Sequence, residues 1–152
     1  MRKLLIILLL AICGARACAQ NDKQIKYADT QMDNYIAKYK NNETNTIFVC
    51  FYIEQNKITT IGEKMESINE MAYMNGYNWD VFLNYYLEKN HPGILKGMYS
   101  DTEAGTYIAY YEANPENNEK ADELMEIIED LVENESKIYK IVKEEGEHIR
   151  WD

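Results

Sequence analysis

Asp101 and Glu103, two carboxylates two residues apart, are the pair in this chain best placed for acid–base work. A carboxylate pair can divide the general-acid and general-base roles of a hydrolase. No third partner stands near them, so a solvated turn ahead of a strand is the preferred reading, with a carboxylate-dependent hydrolase the lesser alternative. His91 precedes Pro92 and His148 lies near the C-terminus. Neither has a second histidine at metal spacing, and no H-E-x-x-H or Cys/His cluster occurs, so both read as surface residues. Ser67, Ser100 and Ser136 lack a nucleophile-elbow context, and the isolated glycines build no phosphate loop. Cys50, inside the apolar run Ile47 to Ile53, reads as a small buried hydrophobe. No catalytic, cofactor-binding or metal-binding set is therefore expected, and no cofactor.

The charge pattern points to a macromolecular partner. The 152 residues carry 26 acidic against 16 basic side chains, a net charge of −10. Such a body repels nucleic acid and anionic lipid and attracts basic proteins. Acidic residues crowd positions 112–147. Within them Asp122, Glu126, Glu129 and Glu133 follow i, i+4, i+7, i+11 and would form one ridge along a helix. An ordinary solvated face is the competing reading; the functional one is a docking face for a basic partner. Thirteen tyrosines are the second anomaly. Tyrosine is rigid and amphipathic, and serves interfaces as readily as cores.

The first residues read as an address. Arg2 and Lys3 precede the apolar run Leu4 to Ile12, and small residues follow at Ala15, Ala17 and Ala19. Nine apolar residues are too few to span about 30 Å of hydrocarbon, so residues 1–19 are expected to be a secretory signal peptide. Two A-x-A sites compete, the favoured one leaving Gln20 as the new terminus. Lipidation at Cys18 after Ala17 is the alternative, although Arg16 suits that motif poorly, and it alone would bring the chain to a membrane. Cleavage removes Arg2, Lys3 and Arg16 and no acid, which takes the net charge from −10 to −13. It also leaves Cys50 as the one cysteine, so no disulfide framework is expected even in an exported, periplasmic setting.

Hydrophobic periodicity places the elements. Residues 20–45 read as a tether and a short helix, since Met32, Tyr35, Ile36 and Tyr39 share a helical face. Thr46 to Ile53 predicts a strand buried on both faces, and Ile58 to Ile61 a partner strand after a turn at Gln55-Asn56-Lys57. Helices are predicted over 63–75, closed by Asn75-Gly76, and from Asn78 to the stop at His91-Pro92. Gly105 to Ala113 alternates as a second strand, and Ile149 to Trp151 is read as a terminal strand or a loose segment. Helix 119–133 with Asn118 as cap and a last helix capped by Ser136 complete the chain. The fold class is α+β, a small antiparallel sheet covered on one face by four to five helices.

The stretch Gly76-Tyr77-Asn78-Trp79-Asp80-Val81-Phe82-Leu83-Asn84-Tyr85-Tyr86-Leu87, followed by Asp101-Thr102-Glu103-Ala104-Gly105, resembles the immunity protein 51 family of bacterial polymorphic-toxin systems. The resemblance covers residues 46–152. It implies an α+β domain that binds and neutralises a toxin encoded beside it and is not an enzyme. Gly76, Tyr77, Trp79, Asp101 and Glu103 match the family pattern. The first three are expected to serve the fold. Asp101 and Glu103, with Asp122, Glu126, Glu129 and Glu133, are candidates for partner contact. The leader and residues 20–45 depart from the family. Export would place the partner outside the cytoplasm and favours a wall-, lipid- or pore-directed toxin. The expected function is an exported immunity protein acting by surface occlusion on a cognate toxin with a basic surface. An envelope interaction module without a toxin partner is the alternative.

Overall fold

The computed structural model describes residues 34–152. The leader, its cleavage sites, Cys18, Met32 and the tether over 20–33 lie outside the described residues. The chain runs through a hairpin β1 (Ile36–Asn41) and β2 (Thr46–Tyr52), then α1 (Asn56–Ile68) and α2 (Gly76–Asn90). A second hairpin, β3 (Tyr99–Ser100) and β4 (Thr106–Glu112), leads to α3 (Pro115–Glu133), α4 (Glu135–Glu145) and a 3₁₀ turn at Gly146–His148. The four strands form one antiparallel sheet in the order β1-β2-β4-β3. The α+β expectation with helices on one face holds.

Strand alternation decides the layers. Opposed residues in an antiparallel pair point to the same side. Ile36, Phe51 and Tyr107 lie in one cross-strand row, and Ile47 and Tyr111 in another. All five are buried, as are Val49 and Ala109 between the rows. Phe51 meets Trp79 of α2 edge-on, with ring centroids 5.0 Å apart, and Trp79 meets Phe82 in the same way at 5.9 Å. The Tyr111 hydroxyl donates to the Ile94 carbonyl at 3.0 Å, so its burial leaves no polar group unsatisfied. Helix α3 lies across β1, β2 and β4, α2 packs on β4, and α4 rests on α1 and α3.

Several boundaries differ from expectation for identifiable reasons. Residues 36–41 form a strand, not a helix. Each pairs with β2, from Ile36 opposite Phe51 to Asn41 opposite Thr46, and a full ladder outweighs a four-point helical pattern. The turn between them uses Asn45 at φ 52°, a left-handed conformation asparagine tolerates, while Asn41 Oδ1 accepts from the amides of Glu43 and Thr44. Residues 58–61 are helical, not a strand. Ile58, Ile61, Gly62 and Met65 form a buried i, i+3, i+4, i+7 stripe, so α1 begins at Asn56, where a turn was expected, and stops at Ile68. The segment expected to close that helix opens the next one, with Asn75 as N-cap accepting from the Asn78 amide at 2.9 Å. Helix α3 likewise starts early. Asn114 caps it and Pro115 takes the first turn, where a missing N–H is harmless, leaving Asn118 inside. Asn134, not Ser136, stands at the start of α4. Tail residues 149–151 form no strand, yet they are anchored: Ile149 is buried and Trp151 Nε1 donates to the Gly146 carbonyl at 3.0 Å.

Candidate functional site

The two segments that carry the family pattern meet at one corner of the fold. The Gly76 amide, at the start of α2, donates to the Ala104 carbonyl at 2.8 Å. Ala104 and Gly105 form the tip of the β3–β4 hairpin, closed by reciprocal backbone bonds between Glu103 and Thr106. A Cβ on Gly76 would stand 1.8 Å from the Glu103 carbonyl oxygen, so only glycine admits this approach. Trp79, one turn on, is buried. Both residues serve the fold. Tyr77, also expected to serve the fold, keeps 44% of its surface exposed.

The same hairpin sets the position of the acidic pair. The Asp101 amide donates to the Ile108 carbonyl at 3.0 Å, which continues the β3–β4 register past the short strand. Tyr99, Asp101 and Glu103 therefore line up opposite Tyr110, Ile108 and Thr106, on the side of the sheet away from the helices. That side continues through Phe48, Cys50 and Tyr52 of β2 to Ala37 and Tyr39 of β1. Phe48 and Tyr110 rings lie 6.0 Å apart, and Tyr110 stacks on Tyr99 at 5.5 Å. The Tyr39 and Tyr52 hydroxyls share a hydrogen bond of 2.9 Å. None of these residues packs against the main core, and among the described residues no helix lies on this face. Strand β2 was expected to be buried on both faces; its alternate residues are only half-buried here, Cys50 among them. Burial pushes the Cys50 thiol up from its ordinary value, away from the reactive thiolate.

The α3 ridge divides into tied and untied carboxylates. Asp122 pairs with Lys38 of β1 and accepts from Asn118. Glu133 accepts from Lys57 of α1 at 2.7 Å and from the Tyr35 hydroxyl at 2.9 Å. The lysine bond, with the tyrosine bond behind it, holds the Glu133 carboxyl below its ordinary range. These two ridge ends fasten α3 to the sheet and to α1. Glu126 and Glu129 between them are exposed and make no ion pair among the described residues. A shallow cleft of about 310 Å³ opens nearby, lined by Tyr86, His91, Glu123, Glu126, Ile127 and Asp130. Neither Asp101 nor Glu103 lines it. Among the described residues no group of three His, Cys, Asp or Glu side chains is placed to hold a metal ion. No helix among them is long and apolar enough to cross a membrane.

Sequence reasoning named Asp101 and Glu103 but missed the tyrosine and phenylalanine row beside them. The missed signal was β3, whose two residues are too short to register as a periodic segment. A family model described as Immunity protein 51 matches residues 38–147, from the middle of β1 to the 3₁₀ turn. No curated protein matches, and no solved structure matches.

Proposed function

From the premise that the chain belongs to the immunity protein 51 family, whose role is to neutralise toxins, we propose that it acts by covering a surface of its toxin and makes or breaks no bond itself. The observation that carries this reading is the division of the α3 ridge. Asp122 and Glu133 are held by lysines of the same chain, while Glu126 and Glu129 are exposed and have no ion-pair partner among the described residues. Two exposed carboxylates on a chain of net charge −10 favour encounter with a basic protein. The apolar leader over residues 4–12 adds that this encounter takes place outside the cytoplasm, in the periplasm or at a lipid surface if Cys18 is acylated. A toxin met there acts on wall, lipid or membrane integrity.

The test is kinetic. The toxin domain encoded beside this chain, made without its activity, is immobilised and association is followed at increasing ionic strength. The association rate is expected to fall by roughly tenfold or more across the salt range. Glu126→Lys with Glu129→Lys should slow association by several-fold at low salt without changing the folded state. An association rate indifferent to both salt and charge reversal removes steering from this account, and a chain that neither binds nor protects removes occlusion itself.

A further inference from the structure

We propose that the helix-free face of the sheet is the surface that grips the toxin, and that it receives a basic patch of that protein with an arginine over the Tyr99–Tyr110 stack. The inference rests on the toxin-neutralising reading and adds where contact is made and with what chemistry. Its first support is the ring series. Phe48, Tyr110 and Tyr99 run across three strands at 6.0 and 5.5 Å, and Tyr99 at the edge is 62% exposed. Rigid aromatic surface of this kind loses little entropy on binding and supplies most of the energy at interfaces where it is found. Its second support is charge. Asp101 and Glu103 share the face along its β3 edge, and Glu112 lies at the far end of β4 opposite Thr46. No strand position on this face carries lysine or arginine. Lys38 and Lys40 of β1 belong to the opposite side, opposed to Val49 and Ile47. Aromatic rings bordered by carboxylates and free of bases complement a guanidinium, which stacks on a ring face while its donors reach acids at the border. The α3 ridge has acids but no such aromatic anchor, so it affects encounter more than retention.

The experiment measures dissociation of the full chain from the activity-silenced toxin domain encoded beside it. Tyr99→Ala is expected to speed dissociation about tenfold or more, and Asp101→Lys with Glu103→Lys to weaken binding by about a hundredfold. Tyr99 is exposed and the two acids make no ion pair among the described residues, so circular dichroism melts should stay near those of the parent. Glu126→Lys with Glu129→Lys should alter association and leave dissociation within twofold. If the parent binds tightly and the sheet variants dissociate at the parent rate, the docking face is wrong and the neutralising role stands. If the parent does not bind at all, both fall. Light scattering and cross-linking on the free chain cover the other occupants. A dimer dissolved by Tyr99→Ala, or residues 20–33 of the same chain cross-linked over Tyr110, overturns the assignment.

Discussion

Gly76 and Tyr77 are neighbours in sequence with opposite exposure, the first buried and the second open, and substitution should separate them. Any side chain at 76 meets the Glu103 carbonyl, backbone that cannot rotate aside. Gly76→Ala is expected to destabilise by about 3 kcal/mol and to loosen the 103–106 hairpin, measured by urea unfolding and by amide exchange at Glu103 and Thr106. Tyr77→Ala should destabilise far less than Trp79→Ala in the same measurement, because Tyr77 keeps 44% of its surface exposed. Trp79→Ala removes the indole between Phe51 and Phe82 and should cost about 3–5 kcal/mol in the same measurement. Asn78 is the buried polar residue of this turn. Its side chain donates to the Tyr73 carbonyl at 2.7 Å and accepts from the Asp152 amide at 2.7 Å. Asn78→Ala leaves both groups without that partner and should cost about 1–3 kcal/mol while freeing the C-terminal residues.

At the scale of elements, lysine–carboxylate pairs hold the helices in their layer, and pH reads them out. Bonds from lysines depress the carboxyls of Glu133 and Glu145, whose partners are Lys57 and Lys89, each with help from a tyrosine hydroxyl. Asp130 and Glu116 are depressed by Lys137 and Lys120. A carboxyl whose folded value lies below its unfolded one contributes stability above the unfolded value and loses it as pH falls through the folded value. Asp80 has the opposite sign: burial raises it, against hydrogen bonds from Ser100 and Asn84, so its charged form is penalised until acid protonates it. The lysine pairs are more numerous, and the melting temperature should fall as pH drops through and below the carboxylate range. Glu133→Gln with Glu145→Gln should flatten that acid limb, and because the bond to Glu145 also raises Lys89, it should flatten the loss of stability in the lysine range as well. Elements with long, one-sided patterns were legible in the sequence. Strand β4 alternated as expected, and the stripe Trp79, Phe82, Leu83 and Leu87 of α2 is buried. Strand β1 was misread because Tyr35, Ile36 and Tyr39 share a face at helical spacing, whereas in the strand Ile36 and Tyr39 fall on opposite sides, and only pairing with β2 imposes that. The candidate face was half legible: its acids stood in a motif, but its aromatic row draws on β2, β3 and β4, and no single segment displays it.

At the largest scale, the described residues form one sheet with their helices on a single side. The covered side makes the core, from Ile36 to Ile149. Among the described residues, the other side presents rings and three carboxylates without a base, while the exposed ridge of α3 adds Glu126 and Glu129. On the proposed reading, a body of this design would meet its partner through charge and retain it through aromatic contact, one copy to one toxin. The most direct test of that claim is stoichiometric. Toxin activity is followed while purified full-length chain is added in steps to a toxin concentration far above the dissociation constant. Activity should fall in a straight line and vanish at one equivalent, with no dependence on incubation time. Complete inactivation by a small fraction of an equivalent, progressing with time, would mean turnover by the chain and would contradict the account.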